Sequence, residues 1–302
     1  MLSFDIGGTQ VRVGVGTREE GVIAHHAEPW PDSSDPMSDV RFVIDLARGF
    51  LRQRVPGQRI YAVGVALAAL LDNSGTVVSW PNRPHWRGLE FRRLMSAMLS
   101  LPIVIEDDAN AAAVAEYSLG VSEGVDHVLV VMAGTGIGAG LILNRQLFRG
   151  RYGWAGEFGH MVVQPDGPPC SCGLRGCLQM LASGRALERA ALAQGLADVP
   201  ALVAAADLGN AAAQEAIVAS GRWIGLAAAN VVNLLDLESV VIGGGLLKLG
   251  PAWWSAIHES LYANLLNGDM RNVHFQPAAL PQHVGLYGAH VLAWQLADSI
   301  AS

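Results

Sequence analysis

The sequence predicts an α/β protein built from two related halves. Three observations carry this. Strand-like apolar runs alternate with segments of helical spacing, and a glycine turn between two strands occurs twice, near residues 7 and 135. Hydrophobic residues make up 51% of the 302 positions and charged residues only 16%, which excludes disorder and allows more than one core. At about 150 residues per domain, two domains fit the length.

Leu2–Ile6 is an apolar run that meets Gly7-Gly8 and resumes at Val11–Val15, so it reads as strand, turn, strand. Helical spacing follows over Phe42–Arg54, a strand over Ile60–Val65, a helix over Phe91–Leu99, a short strand at Ile103–Ile105 and an alanine-rich helix over Ala109–Leu119. Val128–Met132 and Ala139–Leu143 repeat the first pattern around Gly134–Gly140. Further helices are predicted over Arg185–Ala193, Asn210–Ser220, Arg222–Leu235, Pro251–Leu265 and Gly288–Ala301, with a strand at Val240–Ile242. The expected division is residues 1–117 and 118–285, two lobes facing a cleft, with a last helix (286–302) packing back on the first.

Twenty basic residues against 27 acidic ones give a net charge of −7, and no Lys/Arg block occurs. Nucleic-acid binding is therefore not expected, because phosphate contacts need concentrated positive charge. The start shows no charged and apolar leader pattern, and the most apolar uncharged stretch, Val128–Leu143, holds four glycines; neither export nor a membrane span is expected. All three cysteines lie within Cys170–Cys177, which points to reduced thiols or a metal and a cytoplasmic setting.

The chemistry is carried by five motifs. In Asp5-Ile6-Gly7-Gly8-Thr9, glycines let backbone N–H groups converge into an anion-binding nest, Thr9 adds a hydroxyl, and Asp5 stands where a carboxylate can position Mg²⁺. Gly134-Thr135-Gly136-Ile137-Gly138 is a second such turn. It leads into a strand and lacks Gly-Lys-Ser/Thr, so it is neither a Rossmann fingerprint nor a Walker A loop. Gly243-Gly244-Gly245 ends a strand and allows flat backbone approach, as a purine and ribose require.

Glu106-Asp107-Asp108-Ala109-Asn110 lies between a strand and a helix. Acidic residues there suit an N-cap, and one carboxylate can also serve as a general base. Finally, His160 followed by Cys170, Cys172 and Cys177 offers one imidazole and three thiolates, the closed set of a structural zinc site.

These motifs together resemble the ROK family (repressor, open reading frame, kinase) of sugar kinases over essentially the whole chain. The resemblance implies a two-lobed, actin-like (ribonuclease H-like) ATPase fold. It implies that Asp5, Gly7, Gly8, Thr9, Gly134, Thr135 and Gly136 hold ATP phosphates with Mg²⁺, and that Gly243, Gly244 and Gly245 lie on the adenosine side. Asp108 takes the place of the catalytic aspartate. Glu157 and His160 fall on the sugar motif Glu-x-Gly-His, Asn82 on a loop edging the sugar pocket, and the cysteines on the zinc loop. A homodimer or homotetramer is also implied.

The departures lie on the sugar side. Asp107 stands where the family has Asn, Gln179 where it has Glu, and Ala66-Leu67-Ala68-Ala69 where it has Pro-Gly. Asp107 and Gln179 are expected to orient the sugar together with Asn82, Glu157 and His160, but an ionised Asp only accepts hydrogen bonds and Gln gains donors. The expected activity is transfer of the γ-phosphoryl group of ATP to the 6-hydroxyl of a hexose, with Asp108 accepting the proton. The alternatives are N-acetylmannosamine, another epimer such as allose, or a silent sugar-binding protein. The family's repressors carry a helix-turn-helix ahead of the first glycine motif, which here begins at Asp5, so an enzyme is expected.

Overall fold

β1 (Leu2–Ile6) and β2 (Gln10–Thr17) pair antiparallel across the first glycine turn, in the register Leu2↔Val15 to Ile6↔Val11. This is seen in a computed structural model that describes all of residues 1–302 except 123, 269, 270, 281, 282 and 302. β3 (Gly21–Pro29) extends the hairpin as an edge strand. Its exposed His25 and His26 break the apolar alternation, which is why it is absent from the expected elements.

α1 (Pro36–Arg54) starts well before Phe42 because Asp35 caps it, accepting from the N–H groups of Met37 and Ser38, with Pro36 at the first helical position. β4 (Val63–Leu67) lies further along the chain than Ile60–Val65, since pairing on both sides carries it through the apolar Ala66-Leu67. After the small hairpin of β5 (Leu70–Leu71) and β6 (Val77–Ser79) come α2 (Phe91–Leu99), β7 (Ile103–Asp107) and α3 (Asp108–Leu119). The sheet order is β3-β2-β1-β4-β7, with β1, β4 and β7 parallel.

Beyond residue 120 the arrangement recurs. β8 (His127–Ala133), β9 (Ile137–Leu143), β10 (Gln146–Leu147), β11 (Ser239–Gly243) and β12 (His274–Pro277) form a sheet in the order β10-β9-β8-β11-β12. β9 runs antiparallel to β8, while β11 and β12 run parallel to it. Both sheets thus have the ribonuclease H-like order, and the loosely repeated motif marks a repeated sheet.

The helices of this part are α4 (Leu178–Ala182), α5 (Gly184–Ala193), α6 (Val199–Asp207), α7 (Ala211–Leu235) and α8 (Pro251–Ala263). The two helices expected across residues 210–235 are one. Gly221 and Gly225 interrupt nothing and instead admit α8: a Cβ on them would lie 2.6 Å from the Trp253 carbonyl and 2.4 Å from that of Ile257. By length and hydropathy α7 qualifies to cross a membrane, a candidate the sequence reading does not single out, but half of its most apolar window is buried within the protein. Ile224, Ala227, Ala228 and Val232 belong to the core of this unit.

The last helix, α9 (Val284–Ala301), packs on α3 and β4 through glycines. A Cβ on Gly288 would stand 1.8 Å from the Ala111 carbonyl, and one on Gly64 1.8 Å from that of Ala289. Ser302, the expected end of this helix, lies outside the described residues. Contacts divide the chain into one unit of Met1–Gly120, Leu147–Ala155 and Gln282–Ser302, and another of Val121–Gln146 and Gly156–Pro281. Leu147–Ala155 groups with the first unit, unlike in a single division near residue 117. Arg149 pairs with Glu106, the Asn73 amide donates to the Arg151 carbonyl at 2.9 Å, and Trp154 Nε1 donates to the Leu71 carbonyl at 2.6 Å.

Candidate active site

In the first unit, Ile6, Leu67 and Asp107 occupy one register line across β1, β4 and β7. The glycine turn after Ile6 and the carboxylate of Asp108 after Asp107 therefore leave the sheet at the same edge. With strands about 4.8 Å apart, they are separated by about 10 Å at the backbone. Parallel strands place ligands at their carboxyl ends for this reason. Asp108 opens α3 and is exposed. Asp107, expected on the sugar, caps the helix: its Oδ1 accepts from the N–H groups of Ala109 and Asn110, each at 2.9 Å.

The first turn is held from several sides. Gly7 N–H donates to the Gln10 carbonyl at 3.0 Å. Trp30 Nε1 donates to the Gly7 carbonyl at 2.8 Å, and the Trp30 N–H to that of Thr9 at 3.3 Å. The Asn82 amide lies against Gly8, so closely that a Cβ there would be 1.7 Å from Nδ2. Asp5 is paired with Arg12, directly opposite on β2, at 2.7 Å. Burial raises the Asp5 pKa, and the Arg12 charge and hydrogen bond oppose that rise. Asp5 thus keeps a charged partner of its own besides the role in positioning Mg²⁺ that the resemblance implies.

In the second unit, Gly134–Gly136 joins β8 to β9, with the Gly134 N–H donating to the Gly136 carbonyl at 2.9 Å. The amino end of α5 holds the turn: Gly184 and Arg185 donate their N–H groups to the carbonyls of Gly134 and Thr135 at 2.8 and 3.2 Å. Gly243 is in register with Met132, and Gly244, at φ 95°, sits where a Cβ would be 2.3 Å from the Ala133 carbonyl. Only glycine fits there. The second turn and Gly243–Gly245 therefore share one edge of the second sheet.

Gly156 and Gly159 lay the segment carrying Glu157 and His160 on β9; a Cβ on either would meet the carbonyl of Ala139 or Ile137 within 2.4 Å. His160 divides its two nitrogens: Nδ1 faces Cys170 Sγ at 3.7 Å, and Nε2 faces Glu157 Oε2 at 4.0 Å. The ligand atoms of His160, Cys170, Cys172 and Cys177 all lie within 4.8 Å of one another. Cys172 and Cys177 sulfurs are 3.6 Å apart, close to the edge of about 3.8 Å that a tetrahedron with Zn–S bonds of about 2.3 Å requires. The donor set fits a structural zinc ion. Burial opposes ionisation of Cys170, but hydrogen bonds from the Cys172 backbone and the Gln179 amide outweigh it and lower its pKa; burial and its neighbouring sulfurs raise that of Cys177.

Gln179, expected on the sugar, donates its amide to Cys170 Sγ at 3.4 Å. Arg12, Trp30 and the α5 amino end escape motif reading. The Arg12 partnership has a signal, since a hairpin turning at residues 7–9 places it across from Asp5. The contacts of Trp30, 23 residues from Gly7, have none.

A profile of the ROK family matches residues 1–296. The glucokinase of Streptomyces coelicolor is 34% identical over 312 residues, covering 97% of this chain and 96% of its own length. A ROK hexokinase from Thermus thermophilus superposes with a TM-score of 0.89 at 31% identity over 99% of each chain. A ROK family glucokinase from Streptomyces griseus, solved in complex with glucose and AMPPNP, gives 0.79 at 31% identity over 98% of this chain and 100% of its own. The repeated sheet, the two glycine turns and the Cys₃His cluster have their common origin here: the chain belongs to the ROK family.

Proposed function

We propose that this chain is an ATP-dependent hexose kinase, which transfers the γ-phosphoryl group of Mg·ATP to the 6-hydroxyl of a hexose. The observation that supports the reading is the register line Ile6–Leu67–Asp107, which sets a glycine turn and the exposed Asp108 carboxylate at one sheet edge. Asp108 accepts the hydroxyl proton as the O6–P bond forms and the bond to the β,γ-bridging oxygen breaks; the products are the sugar 6-phosphate and ADP. Such proton transfer contributes about 10²–10⁴ in rate, and positioning with charge neutralisation supplies most of the rest.

Gly7, Gly8 and Thr9, with Asp5 positioning Mg²⁺, serve the phosphates from the first unit. Gly134, Thr135 and Gly136 serve them from the second, with Gly243–Gly245 for the adenosine. Asn82, Asp107, Glu157, His160 and Gln179 orient the sugar. Zinc, held by His160, Cys170, Cys172 and Cys177, supplies rigidity to the segment bearing Glu157.

Glucose is the first acceptor to test, given the glucokinase relatives. Gln179 in place of the Glu that the resemblance expects keeps N-acetylmannosamine or another epimer such as allose as a second reading. A cytoplasmic setting agrees with ATP as donor and with thiol ligands. A homodimer or homotetramer is proposed by family resemblance, to be read by light scattering.

The test is a coupled ADP-release assay over a sugar panel. Hexose-dependent ADP release is expected, and Asp108→Asn lowers kcat by at least about 10² while sugar affinity stays within a few-fold. A variant retaining more than a tenth of wild-type kcat removes Asp108 from this role.

A further inference from the structure

We propose that Asp39 is a positioning residue, holding the first phosphate turn and the Asn82 loop in one arrangement so that nucleotide and sugar recognition in the first unit depend on the same buried carboxylate. The inference rests on the function proposed above and adds to it a residue that no motif contains.

Asp39 lies in the first turn of α1 and is 0% exposed. Its Oδ2 takes three hydrogen bonds, from Arg83 Nη1, His85 Nε2 and Trp86 Nε1, each at 2.7 Å. All three donors follow directly after Asn82, so the loop bearing Asn82 is anchored on one oxygen. Arg83 itself is buried, and its guanidinium lies 3.9 Å over the Trp30 ring.

Trp30 passes the constraint to the turn. It donates from its indole to the Gly7 carbonyl and from its backbone to that of Thr9. A trans peptide is planar, with C=O and N–H pointing opposite ways. Drawing the Gly7 carbonyl toward Trp30 therefore aims the Gly8 N–H away from it, as a phosphate donor must be aimed. On the other side the Asn82 amide fills the space a Cβ on Gly8 would need. Asp39, Arg83, Trp30, the turn and Asn82 form a closed circuit. Removing the charge on Asp39 leaves a buried guanidinium without its anion, and Arg83 must leave its place over Trp30 to regain solvation.

The test compares wild type, Asp39→Asn, Trp30→Phe and the double variant Asp39→Asn/Arg83→Met. Hydrogen exchange is followed in peptides spanning residues 7–10 and 80–86, and dissociation constants are measured for glucose and for a non-hydrolysable ATP analogue. Asp39→Asn is expected to speed exchange in both peptides together at least tenfold and to weaken both ligands at least fivefold. Its kcat at saturation falls less than its kcat/KM. Trp30→Phe, which keeps the ring under Arg83, loosens the 7–10 peptide and weakens the nucleotide alone.

The double variant removes both buried charges; it recovers Tm without recovering affinity. Recovery of affinity along with Tm, or exchange that stays at wild-type rates in either peptide of Asp39→Asn, overturns the proposal. A wild type that phosphorylates no hexose overturns the proposed function instead, and the exchange measurement still decides the role of Asp39.

Discussion

Gln179 hands its side-chain amide to the sulfur of Cys170 at 3.4 Å, and its Oε1 lies 3.6 Å from where a Cβ on Gly136 would be. One side chain thus lies beside both the cysteine cluster and the second glycine turn. A neutral amide can donate to a thiolate, and the Gln179 amide is among the hydrogen bonds that lower the Cys170 pKa.

Gln179→Leu is therefore expected to weaken zinc binding by about 10–100-fold, the usual consequence of removing a hydrogen bond to a metal ligand. Competition with a chromophoric chelator measures it, and unchanged affinity removes the amide from this role. Zinc affinity of the wild type should itself fall with pH, since thiolate ligands must lose their protons before they bind.

Glu106 gives a pH dependence of defined sign. Burial raises its pKa, and the Arg149 charge opposes that without cancelling it. A carboxyl group whose pKa is higher folded than unfolded contributes stability at low pH and loses it as pH rises through the folded value. Glu106→Gln removes the charge, while Arg149, 47% exposed, stays hydrated. The variant should gain stability relative to wild type at pH 7, and the gain should shrink as pH falls below the folded pKa. Urea midpoints at pH 7 and pH 5 test this, and a difference that grows toward pH 5 contradicts it.

Two glycines separate close packing from chain entropy. Gly64→Ala drives a Cβ to within 1.8 Å of the Ala289 carbonyl, where β4 and α9 are both buried, and should destabilise by about 1–3 kcal/mol. Gly49, in the middle of α1, has open space where its Cβ would be, so Gly49→Ala should stabilise by about 0.5–1 kcal/mol. Denaturant unfolding of the two variants is expected to move in opposite directions.

Much of the site is legible in local sequence because its chemistry is local. Gly7-Gly8, Gly134–Gly136 and Gly243–Gly245 announce turns whose backbones must come close to something. Phe91–Leu99 is a helix over just those residues. His160 and the three cysteines meet in space as their spacing suggests. Asp107 shows where local reading stops: three acidic residues precede α3, and only the two bonds to Ala109 and Asn110 show that Asp107 caps it.

Local spacing, turn chemistry and ligand type thus define the strands, the glycine turns and the Cys₃His set, because residues close in the chain create each of them. Longer-range partners come from packing. Asp39 meets donors 44 to 47 residues away, α7 runs unbroken through Gly221 because α8 needs that gap, and Arg149 returns to Glu106 across 43 residues. No local pattern encodes such meetings. They are selected when buried charges and close backbones must find partners across the whole fold.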